Sequence, residues 1–341
     1  MKCRQLALAA FGVITVTGAA NADIVLDELG SFYIGGHEVV LEGLSEKEVS
    51  FTPGMAPIKV DPNGEFETGQ MYVQYFKLAD PVSDLPILMW HGGGLTGNTW
   101  ETKPDGGPGW NSFFLNAGFD TYVSDAVERG RASWSRYPEI YKSEPLFRTK
   151  EEAWELFRIG PTGGWSPNEA ERTANKGQQF PAEAFDQFAK SFVPRWVDNN
   201  EATAAAYDAL VKRVCPCIIM VHSQGGNFGY NVALNNPDLV KALILIEPSG
   251  APDPSAADAS KVASIPHLAV FGDYIDQDAN WKKFVSASEG WREAVIEQGG
   301  VFDWMDLPEE GVTGNTHMLM MDKNSDEIAA MIKQWIDDQN L

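Results

Sequence analysis

Cysteine is scarce in this chain: Cys3, Cys215 and Cys217 are the whole supply. No second Cys or His pair has spacing that matches the 215/217 pair, which argues against a metal centre built on it. Residues two apart in extended chain have Cα atoms ~6.5 Å apart, near the upper limit for a bridge. The spacing therefore disfavours a Cys215–Cys217 disulfide, although an oxidising compartment permits one. Cations are scarce too. Lys and Arg number 26 against 48 Asp and Glu, a net charge of −22. Such a chain repels nucleic acid and anionic lipid surfaces at long range, so neither is an expected partner. It favours neutral or cationic small molecules, weakly, because salt screens exposed charge.

Long apolar runs are almost absent. The exception, residues 6–20, follows Lys2 and Arg4 and ends at Ala20-Asn21-Ala22. It is shorter than the ~20 residues of a spanning helix. A positive start, a short apolar stretch and an A-x-A site together read as a signal peptide, 1–22, cleaved near Ala22. Its loss removes two cations and leaves a mature charge of about −24. The expected location is periplasmic or secreted. Internal repeats and low-complexity tracts are also lacking. What remains, 23–341, reads as one domain.

Within it, apolar strand patterns alternate with helical ones. Strands are expected at 71–78, 86–90, 119–124, 218–221, 240–246, 267–271 and 301–307. Helices are expected at 108–117, 202–214, 227–234, 281–298 and 326–338. Residues 31–41 alternate around Gly35-Gly36, which reads as a hairpin turn there. Alternation of this kind implies a mainly parallel α/β sheet covered on both faces, with ligands at the carboxyl ends of its strands. Residues 144–200 break the pattern. They hold Trp154, Trp165, Trp196 and several Phe residues, and read as a cap inserted over the site.

The chemistry centres on Val221-His222-Ser223-Gln224-Gly225-Gly226. A β-branched run ends at a serine, small residues follow, and a helical pattern begins. That is the form of a nucleophile elbow, with Val221 where the motif has glycine. The known chain order is serine, acid, histidine. Five histidines are available. His37 and His91 precede the serine. His222 adjoins it and points to the other face. His267 opens a strand, at the far end of the sheet. His317 remains, in the polar loop Gly314-Asn315-Thr316-His317. Two acids, Glu247 and Asp273, each follow a strand and suit the third role. Oxyanion donors are expected from the N–H of Gln224 and from His91-Gly92-Gly93-Gly94. Gly93 is the choice there, with Gly92 and Gly94 as its alternatives.

These stretches resemble the α/β-hydrolase superfamily, and within it a small group of exported bacterial esterases. The resemblance rests on Gly30-Ser31-Phe32-Tyr33-Ile34-Gly35-Gly36 and Gly69-Gln70-Met71-Tyr72-Val73-Gln74-Tyr75. It continues through His91-Gly92-Gly93-Gly94-Leu95-Thr96-Gly97, Thr99-Trp100-Glu101-Thr102, Pro104-Asp105-Gly106 and Arg129-Gly130-Arg131-Ala132-Ser133. It runs from Gly30 to the C-terminus, departing at Val221 and at Ala132, where Gly-Arg-Ser is more usual. It implies a Ser223–His317–Glu247 triad, with the acid after the strand that follows the elbow. It implies a serine carboxylic-ester hydrolase working through an acyl-enzyme on a small-molecule ester, with no metal or organic cofactor. A lactone or C–C bond hydrolase, an acyltransferase, or a non-catalytic binding protein are the alternatives on the same scaffold.

Overall fold

Continuous apolar strands need cover on both faces, and the chain supplies it. A computed structural model describes residues 23–341; the expected signal peptide lies outside the described residues. The elements run β1 (Leu26–Leu41), β2 (Lys47–Val49), β3 (Ile58–Val60), β4 (Gly64–Leu78), β5 (Ile87–Trp90), α1 (Asn98–Glu101), α2 (Trp110–Asn116) and β6 (Thr121–Asp125). They continue α3 (Lys150–Leu156), α4 (Phe185–Ala189), α5 (Asn200–Val214), β7 (Cys217–His222), α6 (Gly225–Asn235) and β8 (Val240–Ile246). The last are β9 (His267–Phe271), α7 (Ala279–Glu297), β10 (Phe302–Asp306) and α8 (Ser325–Asp338).

Among the described residues, an eight-stranded sheet has the order β1-β4-β6-β5-β7-β8-β9-β10. From β6 to β10 every neighbouring pair is parallel; β1 and β4 join antiparallel at one edge. The pleat sends successive side chains to opposite faces. Ile87, Met89, Ile218 and Met220 enter one core, with α2 and α8. Leu88, Trp90, Ile219 and Val221 enter the other, with α5, α6 and α7. The sheet fold is the α/β arrangement that the alternation implies. Among the described residues no helix is long and apolar enough to cross a membrane.

Two local readings are corrected. Gly35-Gly36 is not a turn: β1 runs through it, and the antiparallel hairpin of β1 and β4 closes further on, through residues 42–63, the connection that carries β2 and β3. Both glycines have positive φ, 71° and 88°. A Cβ on Gly35 would come within 2.9 Å of Ala206 on α5, so the strand lies against the helix where a side chain would not fit. Cys215 and Cys217 are bonded, with Cα atoms 4.5 Å apart. The chain bends at Pro216, between α5 and β7, so the extended-chain separation does not apply.

Between β6 and α5 lies the long stretch that includes 144–200, with only short helices. It packs through aromatic rings: Trp154, Phe185 and Phe188 are buried and in mutual contact with Phe180 and Trp165. Backbone bonds tie it to the sheet-end loops, from Val193 N to Gly94 O (3.0 Å) and from Gln179 N to Gly314 O (2.7 Å).

Candidate active site

Strand β7 ends at His222, and α6 begins at Gly225. Two residues must reverse the chain, and Ser223 does so with φ of 52°, in the left-handed region a side chain rarely adopts. The turn is packed too closely for ordinary side chains around it. A Cβ on Gly225 would sit 2.9 Å from His91 O, and one on Gly226 2.8 Å from Pro248 Cβ. Val221 fills the position where the motif has glycine. Room for it comes from the helix: a Cβ on Gly229 would meet Val221 Cγ1 at 3.0 Å. The small residue stands on the helix rather than on the strand, and the strand and helix still approach closely.

Ser223 and His317 line one cavity of about 600 Å³, together with Gly93 and Gln224. No hydrogen bond joins the Ser223 hydroxyl to the ring among the described residues; hydroxyl–imidazole bonds of this kind are often long before a substrate arrives. The backbone N–H groups of Gly93 and Gln224 donate to no described residue. Gly93 lines the serine's cavity, whereas Gly92 and Gly94 line adjoining hollows.

His317 is buried, and its Nδ1 lies 2.9 Å from Glu247 Oε2. An ionised carboxylate only accepts, so the proton sits on Nδ1 and leaves Nε2 for the cavity. The other Glu247 oxygen accepts from Gly272 N (2.7 Å) and from the Arg158 guanidinium. Burial pushes the Glu247 carboxyl up, but Arg158 and then His317 outweigh it and hold it down at about 2. Burial pushes His317 down to about 4; the Glu247 contact opposes this, while Arg158 and Arg148 add to it. The ring is therefore neutral at pH 7.

Asp273, the other candidate acid, does not reach His317. Its Oδ2 accepts from Gly314 N (3.0 Å) and its Oδ1 from Tyr274 N (2.9 Å), so it fastens the start of the histidine loop. Asp322 fastens the rest, accepting from Asn315 Nδ2 (3.0 Å), Thr316 N (2.8 Å) and Thr316 Oγ1 (2.8 Å). The His317 backbone is gripped at both ends, by Phe157 O (3.0 Å) and by His222 Nε2 (3.0 Å). Its ring lies 4.2 Å from Trp281 and 4.4 Å from His222, centre to centre.

Of the remaining histidines, His91 accepts from Ala126 N through Nε2 (3.0 Å) and bonds Gly92 O through Nδ1 (2.8 Å), which fixes the glycine loop. His267 is buried at the far end of its strand, stacked on Phe302. Three residues of the site escaped sequence reasoning. Arg158 holds Glu247 from the 144–200 stretch, with φ of 59°. Trp281 packs on His317 from α7. Asp322 anchors the loop from five residues downstream. None stands in a motif, and the aromatic content of 144–200 was the only signal near Arg158.

No protein-family model matches the chain. A solved bacterial esterase is 32% identical and superposes with a TM-score of 0.79, over 94% of this chain and 98% of that one. A probable secreted lipase, phiG, of a fungal species (strain ATCC 74256) is 28% identical over 338 residues, 81% of this chain and 88% of its own length. With the sheet order and elbow already described, this likeness along nearly the full length of the bacterial esterase places the chain in the α/β-hydrolase superfamily.

Proposed function

We propose that this chain is an exported serine esterase of 23–341, with residues 144–200 as a cap and Ser223, His317 and Glu247 as its triad. One observation carries the reading: the left-handed serine and the imidazole bonded to Glu247 share one cavity wall. Ser223 Oγ attacks the ester carbonyl while His317 Nε2 takes its proton. Glu247 keeps the ring in the tautomer that can accept and stabilises the imidazolium that forms. The N–H groups of Gly93 and Gln224 receive the oxyanion. The imidazolium returns the proton to the leaving alcohol, and an acyl-enzyme remains. Water, deprotonated by the same ring, then releases the acid. The likeness to a bacterial esterase and to a probable secreted lipase supports ester cleavage and export. The apolar run before Asp23 supports export independently.

The test is direct. Ser223→Ala loses hydrolysis of 4-nitrophenyl butyrate by at least ~10³-fold, the scale of losing a nucleophile, and keeps its melting temperature. A fluorophosphonate adds its mass to the native chain and not to the variant. Retained turnover, or labelling elsewhere, removes Ser223 from the role. Glu247→Gln costs far more activity than Asp273→Asn; the reverse order moves the acid to Asp273.

A further inference from the structure

Although the chain is strongly acidic, the cavity beside Ser223 is cationic. Arg148 and Arg195 line it with Gly93, Ser223 and His317. The two arginines are set side by side by the backbone. Leu146 and Arg195 exchange both ladder bonds, Leu146 N to Arg195 O at 2.7 Å and Arg195 N to Leu146 O at 3.0 Å. Arg148 follows two residues on. Arg195 Nη1 would lie 3.0 Å from a Cβ on Gly93, so its guanidinium rests against the glycine loop.

These charges are poorly matched from within. The Arg195 guanidinium makes no hydrogen bond to any described residue, and its Nε is buried without a partner. Arg148 pairs with Glu152 through Nη1 (2.7 Å), but its Nε is also buried and unpartnered. Burial lowers the proton affinity of both, and Arg195 lowers that of Arg148 further. Two of the nearby acids are committed. Glu128 accepts from Arg129, Trp196 N and Asn199, and Glu152 holds Arg148. Glu201, exposed in the wall of the same cavity, forms no ion pair among the described residues. Partly buried guanidinium groups without acceptors are costly unless something completes them. A planar fork of N–H donors is completed best by a carboxylate.

We propose that Arg195, with Arg148 beside it, is a specificity site for esters that carry a carboxylate. This rests on the serine esterase reading above and adds the substrate class. The inference reverses the expectation from net charge, that neutral or cationic molecules are preferred. The field of the whole chain acts at a distance through salt, whereas these two side chains act at contact.

The experiment compares mono-4-nitrophenyl glutarate with its neutral counterpart 4-nitrophenyl pentanoate, in a buffer free of carboxylate and phosphate. The native protein has the higher kcat/KM on the glutarate. In Arg195→Gln the ratio of the two falls ~10- to 100-fold, the loss of charged hydrogen bonds, and the fall is carried by KM. Arg195→Lys, which keeps the charge and loses the fork, falls in between. Lys241→Gln, an exposed cation at the start of β8, leaves the ratio where it was. A native preference for the pentanoate, or an unchanged ratio in Arg195→Gln, overturns the proposal. Binding is read separately, by calorimetric titration of Ser223→Ala with the glutarate ester. Binding that disappears in Ser223→Ala/Arg195→Gln supports the anion site even if the native protein cleaves neither ester, a result that would sink only the esterase reading. Equal binding with and without Arg195 overturns the anion site whatever the rates are.

Discussion

Arg158 is a buried cation whose charge is spent on another side chain rather than on solvent. Its Nε donates to Asp273 O at 2.8 Å and its Nη2 to Glu247, while the guanidinium carbon lies 4.6 Å from the Trp281 ring centre. It thus locks the acid that holds His317. Breaking one side of a buried ion pair leaves the other charge stranded, at ~3–5 kcal/mol. Arg158→Met should lose stability on that scale in denaturant unfolding. It also removes a cation that repels the protonated imidazole. The His317 pKa then rises from about 4, and the acid limb of kcat/KM moves to higher pH. A pH profile that superposes on the native one would show that Arg158 does not act on the ring. The serine, the histidine and the glycine loop were legible from chain order and elimination. Arg158 was not, because an ion pair between distant loops has no local pattern. The choice between Glu247 and Asp273 was open from the residues alone for the same reason: both acids end strands, and only the tertiary contacts distinguish them.

At the scale of elements, β7 and α6 share one small residue between them. Val221 occupies the strand, and Gly229 faces it from the helix. Val221 and Leu243 are fully buried, so neither can yield to an added methyl. Gly229→Ala should gain ~1 kcal/mol of helix propensity but lose ~1–3 kcal/mol to overpacking, and it should slow turnover by shifting Ser223. Adding Val221→Ala should restore part of both. A double-mutant cycle with no coupling would show that the two positions do not share the space. The parallel strands were legible because burial on both faces makes them unbroken apolar runs. Strand β1 was misread at Gly35-Gly36, since a glycine pair that admits a helix looks locally like one that reverses a chain. The stretch 144–200 showed its aromatic content but no period, because its rings pack as a cluster and not along a face.

For the whole molecule, proton linkage is dominated by imidazoles. Burial holds His91, His267 and His317 at about 4, and His222 well below its ordinary value. Each folded pKa is depressed below the unfolded ~6.5, so below that pH the unfolded chain takes up protons that the folded chain refuses. Stability is therefore full above pH 6.5 and falls as pH drops toward 4, by up to ~2 kcal/mol per ring at pH 5. Asp322 works in the opposite sense. Burial raises it to about 7, so it loses stability as pH rises through that value. Burial also raises Glu128 and Asp306, but the four rings act across this window, and the denaturant midpoint should drop between pH 7 and pH 5. A flat midpoint over that window would mean the rings are not held neutral by the fold.

The backbone bonds that stitch 144–200 to the rest have a consequence for how substrate arrives. Val193 is joined to Gly94, Gln179 to Gly314, Lys323 to Gln179, and His317 to Phe157. A hinged flap would have to break the hydrogen bonds that seat His317 itself. Entry should accordingly proceed through a standing doorway, with rates that follow dissolved monomer. Velocity plotted against concentration of a sparingly soluble ester should bend smoothly through the onset of micelles; an abrupt rise there would reveal a flap that droplets pull open.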